Sequence, residues 1–583
     1  MVEESTVPIV VIGNGPGGLC LSAFLAGWRA YYNGRVGHPN RALHEQLMQN
    51  EHVSLMDQDL SSLSDEHNGP LSASRLLDAL CRPDADIGHE HACTLKWQLH
   101  EQKCVRHVVL GETAPGGSWH HYSDQLLSVS TNGWFDLPGV SLAQWLAGAP
   151  LVERLPVAVV RNYFHRYPQL SATEKFHRPN TTVLSVERSD NNNGGHWIVQ
   201  GVHLSTGSPF RYHCHTVILA SGVIEPRRLN VPGETPIGKP LDHSDGAVCN
   251  VVYSLRDLEQ ALLAASKKSS NASDNHSRPR VLSTFCRLIA RPDLLCDQQQ
   301  LHAVPPARRR LAIAAPRNGT VALPKSNSSN VLLRSASDQN EQNHDDGDDD
   351  DDDYAGDCRV LIVGDGPSAA DAVLRALIGR VHVTHVFRRH PRQLKSTLLG
   401  RLSGSLYAEY RTVVALMCGR ERCALYRPMA RHEVHSISTN WRHSTEHIAA
   451  LRTTYTVTLT HLDTAELVAV TDVHVVAAFI GSTVSLPYYA DAHSIIAANR
   501  QQLTVDARTN QCCETSTNRA VDHLYAAGAL AGDRFVRFIV GGCMQTAVSV
   551  LRQLPADAIK GGNGCSGKHA DRPLLAGVQL VTG

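Results

Sequence analysis

At 583 residues, with 42% apolar and 19% charged residues, the chain has the composition of a globular protein of roughly three to four domain equivalents. The formal net charge is -1, and one run (Asp345, Asp346 and Asp348 to Asp353) supplies eight of the 56 acidic residues, so the rest of the chain sums to +7. The mildly basic remainder is no nucleic-acid signature. Fifteen cysteines without any CxxC fit reduced thiols and exclude the redox pair of a flavin disulfide reductase.

The first strand begins by Pro8, which leaves no room for a cleavable leader. No stretch approaches the ~18 apolar residues of a spanning helix, so a cytoplasmic chain without a membrane span is expected. The strand runs into Gly13-Asn-Gly15-Pro16-Gly17-Gly18 and then a helix-like segment from Leu19 to Ala26. In a dinucleotide fingerprint the first glycine makes a tight turn and the second admits a pyrophosphate. The third small residue lets helix and strand pack closely.

Further along, Ala114-Pro-Gly116-Gly117-Ser-Trp119-His120 pairs two glycines with an indole. In a flavin site such glycines let backbone approach the isoalloxazine while the Trp packs nearby; otherwise the motif is a Gly-rich turn. Ser130-Thr131-Asn132-Gly133 follows, with Asn132 the candidate catalytic contact to a flavin, or a turn residue. Thr216 to Gly222 reads as a buried strand ending in small residues, and Glu225-Pro226 with Pro232-Gly233 ends the lobe.

Composition then changes. Residues 265–357 are rich in Ser, Asn and Asp, and read as a disordered acidic insertion or, alternatively, an interaction segment for a protein partner. The chain resumes at Cys358 with a second fingerprint, Val360-Leu-Ile-Val-Gly364-Asp-Gly366-Pro-Ser368-Ala369. Two fingerprints mean two dinucleotides, and the usual pair is FAD with a nicotinamide nucleotide. The next strand ends in Arg388-Arg389 instead of an acid, which suits the 2'-phosphate of NADP(H). Val473 to Gly481 closes this lobe, Leu524 to Gly528 forms a last strand, and Gln545 to Leu554 a last helix. The histidines show no metal-ligand spacing, so no metal site is expected.

The order GG-x-W, Thr-Asn, Ala-Ser-Gly strand end, second fingerprint resembles that of flavin-containing monooxygenases. The chain is more similar still to the oxidative stress-induced growth inhibitor family, which is flavin monooxygenase-like. The resemblance rests on Ile9 to Ser22, Val53 to Leu60, His107 to Gly111, Pro115 to His120, Val217 to Glu234, Val360 to Val373 and Gly528 to Gly542. It implies an NADPH-dependent monooxygenase of the cytoplasm tied to growth control and cytokinesis, with midbody association. Three positions depart from the monooxygenase pattern. Asn33 stands by spacing where the acid that holds an adenosine ribose is expected, and nothing acidic lies between Gly13 and Glu45. The FxGxxxHxxx(Y/F) signature is degraded at Pro236, Gly238 and His243. Gly528 is followed by Ala529 in place of Asp, with Asp533 five residues beyond Gly528.

The expected fold is therefore α/β with two Rossmann-type dinucleotide-binding domains. The FAD domain is discontinuous, over 1–240 and 486–583; the acidic insertion spans 265–357 and the NADP domain 358–485. Gly13, Gly15, Pro16, Gly17, Gly18, Gly116, Gly117, Trp119, Gly222, Gly528 and Asp533 are the expected FAD contacts. Gly364, Gly366, Ser368, Ala369, Arg388 and Arg389 are the expected NADPH contacts. NADPH would reduce FAD, and the reduced flavin would activate O2 toward a small-molecule substrate. The alternative is a catalytically weak flavoprotein acting as a regulatory or interaction protein.

Overall fold

The computed structural model describes residues 3–60, 63–65, 69–70, 72–85, 89, 91–124, 126–146, 153–189, 196–235, 251–270, 358–440 and 454–555. The expectations for Pro236, Gly238, His243 and nearly all of the acidic insertion concern residues outside that set.

Strand β1 (Glu3–Ile12) is buried on both faces from Ile9 to Ile12, as a central parallel strand requires. It leads into helix α1 (Pro16–Leu25), whose residues Gly17 to Leu25 are all buried. Pro16 occupies the first turn, where its fixed φ suits a helix start and its missing N–H costs nothing. The next strand, β2 (Trp28–Tyr32), leaves the main sheet and pairs antiparallel with β3 (Leu95–Leu99). Between them lies α2 (Ala73–Cys81), its N-terminus capped by the Ser72 side chain.

The parallel neighbour of β1 is β4 (His107–Leu110), with Ile12 opposite Leu110. After α3 (Val157–Leu170), β5 (His177–Arg178) extends the sheet on the far side of β4. An antiparallel meander follows: β6 (Thr181–Arg188), β7 (Trp197–His203) and β8 (Pro209–Leu219). Strand β8 is long enough for two tasks on one edge. Its first half pairs with β7, and its last residues, from Val217, take a different partner described below. Its other edge runs parallel to β1.

Helix α4 (Leu255–Ser270) inserts Leu258 into the core of the second lobe. That lobe repeats the first plan. Strand β9 (Arg359–Val363) leads through a glycine turn into α5 (Pro367–Ile378). Then come β10 (His382–Phe387), α6 (Ala408–Met417) and β11 (Tyr426–Ala430). The antiparallel meander β12 (His432–Asn440), β13 (Thr454–His461) and β14 (Leu467–Val473) precedes β15 (Val475–Ala478). Parallel pairing gives the order β11-β10-β9-β15.

The chain then returns. Strand β16 (Gln511–Cys513) pairs with β17 (Ala520–Ala526), which lies parallel to the end of β8 and completes the first sheet as β17-β8-β1-β4-β5. The closing helix α7 (Val536–Gln553) starts nine residues earlier than the sequence pattern suggests and packs on α1 and α2. The two crossings between lobes run side by side, Glu225 opposite Thr483 and Pro226 opposite Ser482.

Candidate functional site: two glycine turns and their surroundings

Gly13 ends β1 at φ +117, a conformation that side chains resist, and a Cβ there would collide with the carbonyl of Ala220. A Cβ on Gly18 would collide with the carbonyl of Gly13, so these two glycines serve close strand–helix packing. Gly15 differs. A Cβ on it would meet nothing nearer than 3.9 Å, and its neighbours there are Gly116 and Gly117. Gly116 N–H donates to the Asn14 carbonyl at 2.9 Å, and a Cβ on Gly117 would come within 2.8 Å of the Gly15 Cα. Gly17 faces Gly528, with a Cβ 3.8 Å from its Cα. Three turns far apart in sequence thus converge on the start of α1. That helix has no side-chain cap and no acid in its first turn, so its exposed N–H dipoles suit an anion.

Buried Asn14 ties this cradle to the strand end of β4. Its Nδ2 donates to the Thr113 carbonyl at 2.5 Å, and a Cβ on Gly111 would strike the Asn14 side chain. Gly111 is therefore glycine because Asn14 occupies its space. Trp119 packs edge-on against Phe135, Phe164 and Tyr122 with centroids 5.4, 5.5 and 5.7 Å away. Gly222, at φ +83 beyond β8, has only the Ile224 side chain near its missing Cβ.

Asn132 opens a single helical turn, Asn132–Phe135, and its side-chain oxygen accepts from the Gly133 N–H. A buried charge network holds that turn. Arg82 Nη1 donates to the Gly133 carbonyl at 2.7 Å, and Arg82 Nε donates to Asp78 Oδ1 at 2.9 Å. Arg537 Nε donates to Asp78 Oδ2 at 2.9 Å while its guanidinium lies 4.3 Å from the Trp134 ring centroid. Asp533 points elsewhere: it hydrogen-bonds Ser74, at the start of α2, and burial pushes its carboxyl up to about 6.

Strand adjacency differs from what spacing along the chain suggests for the ribose position. Asn33 follows β2, which is not beside β1. The strand beside β1 is β4, and the acid beyond its end is Glu112, two residues past Leu110. Glu112 is exposed and accepts from Thr182 Oγ1 at 3.2 Å. Counting from Gly18 does not reach it, because some eighty residues, including β2 and α2, intervene before this parallel strand. The signal was present in His107 to Glu112, an apolar run ending in an acid four residues before Gly116.

In the second lobe Gly364 sits at φ +135, and a Cβ there would collide with the Phe479 carbonyl. Gly366 starts α5 with no side-chain cap, nothing within 4 Å of its missing Cβ and no acid in the first turn. Ser368 is exposed in that turn, and buried Ala369 packs beneath it. Arg388 and Arg389 follow β10, the strand beside β9, but both have protein partners. Arg389 Nη1 donates to both carboxylate oxygens of Asp365 at 2.6 Å, across the glycine turn itself. Arg388, 75% exposed, lies 3.1 Å from Glu433. Behind them burial pushes the Asp371 carboxyl up to about 7, opposed by a Tyr410 hydroxyl donating at 3.0 Å.

A cavity of about 330 Å³ lined by Arg359, His382, Tyr426 and Thr471 opens at the beginnings of β9 and β10. Nucleotides bind beyond the carboxyl ends of such strands, so this cavity lies at the wrong end. No helix among the described residues is long and apolar enough to cross a membrane.

No family model matches the chain. Curated relatives match along nearly all of it. The oxidative stress-induced growth inhibitor homologue of Caenorhabditis elegans is 28% identical over 545 residues, covering 92% of this chain and 93% of its own. This chain is similar over nearly its whole length to the oxidative stress-induced growth inhibitors. Oxidative stress-induced growth inhibitor 2 of Homo sapiens is 27% identical over 570 residues, covering 93% of each chain. Oxidative stress-induced growth inhibitor 1 of Mus musculus is 27% identical over 584 residues, covering 94% and 96%. Among solved structures, the bacillithiol disulfide reductase of Bacillus cereus aligns at TM-score 0.43 and 12% identity, over 94% of this chain and 99% of that one. Ornithine hydroxylase of Pseudomonas aeruginosa aligns at TM-score 0.41 and 11% identity, over 95% and 99%. Likenesses that distant carry no chemistry across.

Proposed function

We propose that the protein is an FAD- and NADPH-dependent monooxygenase-like oxidoreductase. The observation that carries this reading is the convergence of Gly15, Gly116, Gly117 and Gly528 on the uncapped start of α1. Backbone alone lines that cradle, which fits a pyrophosphate, and Glu112 stands past the adjacent strand where a ribose acid belongs. In this reading Gly13, Pro16, Gly17 and Gly18 shape the turn, and Trp119, Gly222 and Asn132 are further contacts to the flavin. In the second lobe Gly364, Gly366, Ser368 and Ala369 form the turn for NADPH, with Arg388 and Arg389 beside its adenosine end.

When bound, FAD would take hydride from NADPH and supply the O2 chemistry. The chain's share is to bind both nucleotides, exclude water and hold the Asn132 turn in place through Asp78, Arg82 and Arg537. The discontinuous domain division over 1–240, 358–485 and 486–583 belongs to the same reading. The names of the relatives support a role in growth restraint, and in this reading a small molecule and O2 are the reactants.

A second reading has its own observation. Asp365 sits inside the second glycine turn and engages Arg389, so a nucleotide phosphate must displace an existing ion pair. That arrangement favours a weakly turning over flavoprotein with a regulatory role. The test is direct: purify the full chain, record its flavin absorbance, and follow NADPH oxidation with and without O2. A colourless protein that leaves NADPH unoxidised overturns the enzyme reading; a yellow protein with negligible turnover supports the regulatory one.

A further inference from the structure

The histidines show no metal spacing in sequence, yet three of them meet in space. His215 lies on β8 at the point where that strand changes partner. The last β7 pair is Trp197 with Cys214, and the first β17 pair is Val217 with Leu524. His196 immediately precedes Trp197 and His523 immediately precedes Leu524, so the change of partner brings all three imidazoles to one junction. Their ring centroids are 4.6, 4.4 and 4.0 Å apart, and one nitrogen from each falls within 4.8 Å of the others.

We propose that His196, His215 and His523 form a three-histidine site for a divalent transition-metal ion of the zinc class. Three neutral imidazoles with an open fourth position are an established donor set for zinc, whose nitrogen ligands lie at about 2.0–2.1 Å. Binding an ion would draw the three nitrogens in to that distance. Two further features mark the cluster as built. His523 Nδ1 is buried without a hydrogen-bond partner, a costly state that a metal bond relieves. His523 also holds φ at +54 within a strand, an uncommon conformation for a side-chain-bearing residue.

His215 Nδ1 lies 3.1 Å from Thr216 Oγ1, which leaves Nε2 for the metal. Exposed His196 gives the ion a way in. The site stands apart from the proposed flavin cradle, since His215 is four residues, about 13 Å, back from the end of β8. Its effect is a clamp: the ion would join the meander to β17, a strand supplied by the C-terminal part of the chain after the whole second lobe. Closing so long a loop is where a metal clip stabilises most.

The experiment uses the full chain stripped of metal by a chelator, titrated with Zn2+ by calorimetry and with Co2+ by visible absorption. One Zn2+ per chain should bind and raise Tm, and the Co2+ form should show tetrahedral d–d bands without a thiolate charge-transfer band. Loss of a residue that merely orients a metal ligand already costs about 10–100-fold in affinity, so losing a ligand should cost at least about 100-fold. H196A removes an exposed side chain, and His523→Asn keeps a residue tolerant of positive φ, so both variants should fold. Each should lose the Zn2+-dependent rise in Tm. No binding by the parent at micromolar Zn2+, unchanged affinity in either variant, or a thiolate band with Co2+ would each overturn the proposal.

Discussion

Asp78 and Arg537 stand 459 positions apart in the chain and share a buried ion pair, Arg537 being 4% exposed. Arg82 completes it from the position that follows α2, so one carboxylate faces two guanidiniums. Breaking a buried pair from one side leaves an uncompensated charge and costs about 3–5 kcal/mol. Asp78→Ala should therefore lower unfolding free energy by about that amount in urea denaturation. It should also loosen the Asn132 turn, which Arg82 and Arg537 support. A loss below ~1 kcal/mol would show that the arginines find other partners.

The glycines of the first turn should separate into two classes. Gly13→Ala and Gly18→Ala place a Cβ into backbone carbonyls and should lower Tm before any cofactor is considered. Gly15→Leu has space toward the protein but fills the cradle, so it should fold and purify without flavin. A Gly15→Leu protein with parental flavin content would remove α1 as the FAD site.

Glu112 should matter to flavin affinity and Asn33 should not. Hydrogen bonds to a charged acceptor contribute about 1.5–3 kcal/mol, so Glu112→Ala should weaken FAD by about one to two decades. Asn33→Ala should leave affinity unchanged. Flavin fluorescence during titration of the apoprotein measures both, and the reverse order of effects would restore the expectation from spacing.

The ion pair across the second turn makes the two arginines unequal. Arg388→Ala removes a solvated charge, whereas Arg389→Ala also leaves Asp365 unneutralised inside the turn. Both should slow flavin reduction by NADPH more than by NADH, and Arg389→Ala should cost more, about one to two decades. Asp365→Asn, which frees Arg389, should tighten NADPH. Stopped-flow reduction with each nucleotide reads all three; equal losses with NADH would assign the arginines to the fold.

Asp533 supplies a pH signature. Burial raises its carboxyl to about 6 in the folded chain, above the ordinary carboxylate value of 3.8. The folded state thus holds the proton more tightly than the unfolded one. Its contribution to stability is complete below about pH 4 and is lost as pH rises toward 6. Asp533→Asn should flatten that part of the Tm–pH profile relative to the parent. Superimposable profiles would mean the carboxyl titrates normally.

Local signals determined much of this protein. Apolar runs ending in spaced glycines mark β1–α1 and β9–α5, because tight turns and close helix packing exclude other residues at Gly13, Gly18 and Gly364. Arginines after β10 were equally legible. What the chain alone could not decide was adjacency. Asn33 follows the second strand in sequence, but hydrogen bonding puts β4 beside β1, and the acid there is Glu112. Arg389 reads as free to meet phosphate until Asp365 is seen across the turn. Asp78 with Arg537, and His196 with His215 and His523, meet only because sheet register and helix packing bring distant segments together. Pairing over hundreds of residues leaves no trace in local periodicity, since the contact energy belongs to the folded sheet and not to either segment by itself.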